Sequence, residues 1–206
     1  YKDQKRDYEI LAKKLGYEKV SIEKLAVAKK IKEFVTGGGF LFAMCSATDS
    51  YDIALAAEGL DICGPMFDGD AADPSAQEKL DFSKTLAFKN FSLVKNPNQY
   101  EFSSIDATQK RRINVKIDFF TLFDFSAKWD PVPTMLCQNH MQVIKGFMGQ
   151  TTAFKNEYIK SNVLIMGETK ATNEARYIHG ELGNGTWTFY GGHDPEDYQH
   201  KVGDPK

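Results

Sequence analysis

The stretch 37–49 constrains the fold of this chain more than any other. It reads Gly37-Gly-Gly-Phe-Leu-Phe-Ala-Met-Cys45-Ser-Ala-Thr-Asp49. The glycines can end a helix that begins near Ser21 and repeats its apolar residues on one face. The apolar run 40–44 is typical of a strand buried on both faces at the centre of a parallel sheet. Thr48 can then cap a helix over about 49–58, and this order of elements is one unit of a doubly wound α/β sheet.

The rest of the chain fits the same sheet. We expect a helix over 2–15, an irregular elaboration over 60–130, and strands over 134–137, 142–147 and 162–166. Two further strands, 175–181 and 186–190, flank Gly183-Asn184-Gly185, which predicts a hairpin because Asn-Gly tolerates positive φ at both turn positions. The prediction is one domain over 1–206, with a flavodoxin-like, mostly parallel α/β sheet and a C-terminal β-hairpin. No strand is predicted before the first helix to lie beside the central one, so we expect N-terminal strands to be missing.

Composition excludes some classes of function. The net charge is −2, and the only basic run is Lys110-Arg111-Arg112, which is too short to predict nucleic-acid binding. No apolar run reaches the roughly 18–20 residues that a membrane-spanning helix needs. The chain has three cysteines, Cys45, Cys63 and Cys137, an odd number whose spacings match no zinc signature or disulfide framework.

Cys45 is the first candidate catalytic residue. A nucleophile at a sharp turn between strand and helix is exposed at the sheet edge, and nearby backbone N–H groups can face an oxyanion. The positive end of the following helix also favours the reactive thiolate. The alternative is a buried cysteine that fills a small space. Ser46 and Asp49, in the same turn, are candidate binding residues.

His193 is the second candidate. It follows the last predicted strand within Gly191-Gly192-His193-Asp194-Pro195-Glu196, where the carboxylates of Asp194 and Glu196 could orient an imidazole acid or base. Gly192 permits close backbone approach and is a third candidate binding residue. The alternative is a polar turn that ends the strand.

Cys137 and His140 offer only two ligands, whereas a closed zinc site needs four, and on a strand they would point to opposite faces. We therefore predict no metal and no cofactor. Trp129 and Trp187 are expected in the core, although one of them could stack on a sugar.

The Cys45 motif, followed much later by Gly183-Asn-Gly-Thr-Trp-Thr-Phe-Tyr-Gly-Gly-His193-Asp, resembles the trehalose-utilisation (ThuA-like) proteins of the class I glutamine-amidotransferase-like superfamily. The resemblance covers about 21–59 and 160–200. It implies the flavodoxin-like sheet, a Cys45–His193 site and a carbohydrate derivative as substrate or ligand. Chains labelled asparagine synthetase B are also similar, but this chain has no Ser-Gly-Gly-Leu-Asp-Ser-type phosphate loop and is not expected to have that activity.

The chain also departs from its relatives. ThuA-like proteins usually place His where this chain has Cys45. Active glutaminases of the superfamily resemble it in that Cys, but within Gly-x-Cys-x-Gly, where this chain has Ala43 and Ala47. Their partner motif is His-x-Glu, whereas Glu196 lies three residues after His193. An active glutaminase is therefore not expected.

Two hypotheses remain. The first is an enzyme with an amidotransferase-like or hydrolase-like site at Cys45. The second is a non-catalytic binding or assembly module of the cell envelope, with a small-molecule, carbohydrate or protein partner. The resemblance extends to chains that carry a secretion signal, which implies a periplasmic or cell-envelope location.

Overall fold

The structure is a computed structural model and describes residues 2–96, 98–108, 116–122 and 143–193. Three helices of more than two turns lie at the N-terminal side of the chain: α1 (Lys2–Lys14), α2 (Val20–Thr36) and α3 (Ala47–Ala56). Two single-turn helices follow, α4 (Pro65–Asp68) and α5 (Ala76–Lys79). The helices predicted over 2–15, 21–36 and 49–58 are thus confirmed, with α3 beginning two residues early.

The predicted helix caps are wrong in detail. α2 begins after Lys19, not Ser21, and α3 begins after Ser46, not Thr48. Thr48 lies inside the first turn of α3, where its hydroxyl donates to the carbonyl of Cys45 at 2.7 Å. It stabilises the turn that precedes the helix instead of capping a free N–H group.

In the part of the chain that the structure describes, seven strands form one sheet. They are β1 (Phe40–Met44), β2 (Phe119–Leu122), β3 (Val143–Lys145), β4 (Phe154–Lys155), β5 (Leu164–Thr169), β6 (Glu174–Leu182) and β7 (Gly185–Tyr190). The order is β1-β7-β6-β5-β2-β3, with β4 also paired to β6. The predicted strand over 134–137 lies outside the described residues. The predicted hairpin is confirmed as β6 and β7. The predicted positive φ at Asn184 and Gly185 is wrong, because the positive φ of this turn is at Gly183.

The predicted flavodoxin-like, mostly parallel sheet is wrong. Among the strands of the described residues, only β1 and β7 pair in parallel, and every other pairing is antiparallel. Short turns join β5 to β6 and β6 to β7, and such connections are too short for the crossover that parallel neighbours need. The helix-strand-helix pattern of 21–59 is real, but it supplies the sheet with one parallel strand only.

The predicted central position of β1 is also wrong. Within the described part of the chain β1 has one neighbour, β7, and lies at the edge of the sheet. Phe40 and Phe42 are 52% and 38% exposed, while Ala43 is buried. The apolar run indicated burial on both faces, but one face of β1 is open.

The main core lies between the sheet and α2, α3 and the irregular segment 80–107. Phe88, Phe154 and Phe189 are fully buried there, and Trp187 packs on Phe189 with ring centroids 4.8 Å apart. A smaller cluster on the other side includes Phe120, Tyr177 and Tyr190. None of the helices in the described part of the chain is long and apolar enough to cross a bilayer.

Candidate functional site at the turn between β1 and α3

Cys45 occupies a strained turn between β1 and α3. Its φ is +55°, a left-handed conformation that a residue with a Cβ rarely adopts. The backbone holds it there from both sides: its N–H donates to the Tyr190 carbonyl at 3.1 Å, and its carbonyl accepts the Thr48 N–H at 3.1 Å. Such strain costs on the order of 1–3 kcal/mol and is concentrated at functional sites.

The backbone strain among the described residues is concentrated beside this cysteine. Four non-glycine residues there have positive φ: Cys45, Asn90, Thr151 and Asn173. The two asparagines adopt this conformation readily, so Cys45 and Thr151 are the unusual cases. They meet in space, because the Cys45 thiol donates to the carbonyl of Gln150 with Sγ and O 3.0 Å apart.

The loop 146–152 therefore lies over the thiol, and its end is fixed at several points. The Thr151 N–H donates to Asp106 Oδ2 at 2.7 Å, and the Thr151 hydroxyl donates to Asp49 Oδ1 at 2.9 Å. The Thr152 carbonyl accepts from Nη1 of the buried Arg176 at 3.2 Å. These contacts hold the peptide between Gln150 and Thr151 with its carbonyl towards the sulfur and its N–H towards Asp106.

Asp49 and Asp106 are two carboxyl groups buried side by side under that loop. Asp49 is fully buried, and burial raises its pKa to about 7, with a further increase from the nearby charge of Asp106. Burial also raises the pKa of Asp106. Asp106 nevertheless accepts from the N–H and hydroxyl of Thr108 and from the Thr151 N–H, and these donors favour its charged form.

The parallel pairing of β1 and β7 brings His193 to the same edge of the sheet. Met44 and Tyr190 are paired, so Cys45 and the Gly191-Gly192-His193 segment both leave the sheet there. The His193 ring packs on Phe147 with centroids 5.3 Å apart. Phe147 and Gln150 belong to the same loop, so the loop contacts both predicted catalytic residues.

The other predicted site residues have different surroundings. Ser46 is the N-cap of α3, and Asp49 faces the interior, where it bonds Thr151 and Ser103. Gly192 packs against Tyr190, whose ring carbon and hydroxyl would lie 2.5–2.8 Å from an added Cβ. Asp194 and Glu196 lie outside the described residues, as do the Cys137–His140 pair, Trp129 and the basic run 110–112.

Sequence reasoning missed the loop and the second carboxylate. A strand was predicted over 142–147, but β3 ends at Lys145 and the loop follows. Two glycines, Gly146 and Gly149, followed by Gln-Thr-Thr, favour a turn or loop over this stretch. Asp106 was hidden in an irregular segment with no periodicity, and only the fold brings it to Asp49.

A second cluster could in principle hold a cation. One ligand atom each from Asp61, Cys63 and Asp68 lies within 4.8 Å of the others. The Lys19 ammonium is 3.7 Å from Asp61 and also bonds Asp70. The chain thus supplies its own positive charge there, and this arrangement is typical of a surface ion-pair network.

The geometry of the site is the basis on which a function is proposed, since the comparisons with known proteins give no functional information. The resemblance to ThuA-like proteins remains a prediction. No protein-family model, no curated protein and no solved structure matches this chain significantly.

Proposed function

We propose that this chain is a thiol-dependent acyl-transfer enzyme or hydrolase, with Cys45 as nucleophile and His193 as the acid and base. The observation that carries the proposal is the meeting of two strained residues, Cys45 and Thr151, through the bond from the thiol to the Gln150 carbonyl. A cysteine that only fills space needs neither a positive φ nor a loop held over its sulfur. The strain is therefore better explained by a selected position of the thiol.

The neighbouring groups suit attack on an acyl carbon. The first N–H groups of any helix have no acceptor within the helix. α3 begins two residues after Cys45, and the N–H groups of Ser46 and Ala47 precede that of Thr48, which already donates to the Cys45 carbonyl. An oxyanion that forms near the sulfur would lie close to these donors and to the positive end of the helix dipole. In the reaction, sulfur bonds to the acyl carbon, the leaving group departs with the thiol proton delivered by His193, and water then hydrolyses the thioester.

An ester is a more suitable substrate than an amide, because its leaving group departs more easily and needs less stabilisation. The resemblance implies a carbohydrate derivative, and an acylated carbohydrate combines both requirements. This substrate class is part of the proposal.

The test is capture of the acyl-enzyme with p-nitrophenyl acetate. We expect an acetyl group on Cys45 by mass spectrometry and release of p-nitrophenol that Cys45→Ala abolishes and Cys63→Ala does not. His193→Asn should slow both formation and hydrolysis of the adduct. Acetylation of Cys63 in preference to Cys45, or p-nitrophenol release that persists in Cys45→Ala, would refute the proposal.

The second candidate, an assembly module, has its own supporting observation. α2 and β1 expose several large apolar side chains, among them Val27 (46%), Phe34 (63%) and Phe40 (52%). Leu15, Tyr17, Val27 and Phe34 line one groove beside α2. Clustered exposed apolar side chains are common at contact surfaces. Concentration-dependent self-association in sedimentation velocity, removed by Phe34→Ser, would favour this function if Cys45 also proves inert.

A further inference from the structure

We propose that Asp49, Asp106 and Thr151 are positioning residues for Cys45, and that one proton shared by the two carboxyl groups holds the Gln150 carbonyl on the thiol. The proposal deepens the function proposed for Cys45 by assigning a pH response to the same site. It begins from hydrogen-bond geometry at the Thr151 hydroxyl.

That hydroxyl lies between two carboxyl groups. Its oxygen is 2.9 Å from Asp49 Oδ1 and 3.4 Å from Asp106 Oδ2. A hydroxyl carries one proton and donates it to one acceptor. If both carboxyl groups were ionised, the hydroxyl would donate to one of them, and a lone pair of its oxygen would face the negatively charged oxygen of the other. One additional proton in the cluster removes this conflict.

The donors around each group indicate where the proton resides. Asp106 accepts two backbone N–H groups and the Thr108 hydroxyl, which together stabilise a carboxylate. Asp49 faces the hydroxyls of Thr151 and Ser103, at 2.9 Å and 3.1 Å. A hydroxyl can turn and accept a proton, whereas a backbone N–H cannot, so Asp49 is the group that can be neutral.

The electrostatic surroundings agree with this assignment. Burial is the main cause that raises the pKa of Asp49 to about 7, and the negative charge of Asp106 adds to it. The hydroxyls of Thr151 and Ser103 and the Ser50 N–H act in the opposite direction. Glu101, on the segment that carries Asp106, is a further negative charge that acts on Asp106. The cluster therefore gains or loses its proton near neutral pH.

Loss of the proton should affect the thiol through the peptide unit between Gln150 and Thr151. Two carboxylates repel each other across the Thr151 hydroxyl, and Thr151 is already strained at φ +53°. The Gln150 carbonyl belongs to the peptide unit whose N–H is held by Asp106. Displacement of that unit withdraws the acceptor from the Cys45 sulfur and opens the thiol to reagents.

The experiment is the rate of Cys45 alkylation by iodoacetamide from pH 5.5 to 9, measured by mass spectrometry, with Cys63 in the same molecule as the internal reference. We expect the Cys45 profile to show a step near pH 7 of about tenfold, the factor that one pKa unit of coupling represents. Asp49→Asn keeps the shape but cannot ionise, and should remove the step. A parallel series in His193→Asn excludes the imidazole as its origin.

A matched pair of variants tests the hydroxyl. Thr151→Val removes it and should remove the step, whereas Thr151→Ser keeps it and should keep the step. The infrared carbonyl band of a protonated carboxylic acid should be present at pH 6, decline by pH 8, and disappear in Asp49→Asn. This readout does not depend on Cys45.

The outcomes separate this proposal from the proposed function. A Cys45 profile without a step, or a step that survives in Asp49→Asn, overturns the positioning role even if Cys45 forms an acyl adduct. A step that Asp49→Asn removes, in a protein whose Cys45 forms no adduct, upholds the positioning role and overturns the enzyme.

Discussion

Two aspartates one turn apart on α3 fasten two different loops, and they do so with different donors. Asp52 accepts the N–H groups of Leu86, Ala87 and Phe88 at 2.7–2.8 Å. Asp49 instead meets the hydroxyls of Thr151 and Ser103, a second carboxyl group and a single backbone N–H, that of Ser50. Both are fully buried, and burial raises the pKa of Asp49 to about 7 and that of Asp52 to about 6.

The two sets of donors differ in how each attachment responds to pH. A backbone N–H remains a donor at every pH, so the segment 86–88 stays fixed to α3 wherever Asp52 is ionised, above about pH 6. A hydroxyl rotates and can either donate or accept, so the way in which the loop 146–152 is attached to Asp49 depends on the charge state of that carboxyl group. The first attachment builds the core, while the second holds the loop that lies over the proposed nucleophile.

The largest effect on the free energy of unfolding is expected where Asp52 holds the segment 86–88. Asp52→Ala leaves three buried N–H groups without their acceptor, at about 1–3 kcal/mol each. We expect the free energy of unfolding to fall by about 3 kcal/mol or more in urea denaturation, and Asp52→Asn, which retains one acceptor oxygen, to lose less. A loss below about 1 kcal/mol for Asp52→Ala would show that the segment 86–88 finds other acceptors.

The adjustable attachment should appear as a pH dependence of stability. Asp49 retains its proton to about pH 7 when folded, but releases it near pH 4 when unfolded. Between these values the folded chain binds more protons, so the free energy of unfolding falls as pH rises. Asp52 acts in the same direction up to about pH 6.

Asp49→Asn removes the Asp49 part of this dependence. We expect the variant to gain about 2 kcal/mol relative to wild type between pH 5 and pH 8, in a series of urea denaturation curves. Asp81→Asn is a suitable control, because Asp81 is a surface group whose pKa lies below its usual value, through hydrogen bonds from Ser83. An Asp49→Asn curve parallel to wild type across this range would contradict the raised pKa.

These two aspartates also show how far the sequence predicts the structure. Local patterns located α2, β1, α3 and the hairpin, because helix periodicity and Asn-Gly turns depend on near neighbours. The sequence places Asp49 beside the Cys45 turn, but it does not predict that Asp49 is buried. Its partners Ser103 and Thr151 are 54 and 102 residues away, and no short-range pattern connects them.

The direction of the strands failed for the same reason. An apolar run such as 40–44 indicates a buried strand but does not specify its neighbours. β7, the neighbour of β1, lies more than 140 residues later. Short connections favour the antiparallel pairs β5–β6 and β6–β7, whereas β2–β5 and β4–β6 are also pairs between strands that are not joined by a short turn. Cys45 and His193 leave the sheet at the same edge because each follows one of the two strands that pair in parallel, and their joint role in a site stays a prediction.

A smaller difference is expected between the thiols. Burial raises the pKa of Cys63, and the charges of Asp68, Asp61 and Asp70 raise it further, whereas Cys45 precedes the positive end of α3. We expect Cys45 to react with iodoacetamide faster than Cys63 at pH 7.5, since a raised pKa lowers the thiolate fraction of Cys63. The same labelling time course follows Cys137, and faster reaction of either other thiol would refute this ranking.

The smallest effect is expected with glutamine, which this chain should not hydrolyse at a measurable rate. Amide hydrolysis needs strong oxyanion stabilisation, and loss of one donor lowers the rate about 10²–10³-fold. The loop 146–152 presents an acceptor, the Gln150 carbonyl, to the sulfur. The Cys45 N–H already donates to the Tyr190 carbonyl. The measurement is glutamate release from glutamine at pH 6 and pH 8.5, with Cys45→Ala as control. Sustained release that Cys45→Ala abolishes would mean that the loop turns an N–H towards the sulfur, and the two attachments would then differ even more than the structure indicates.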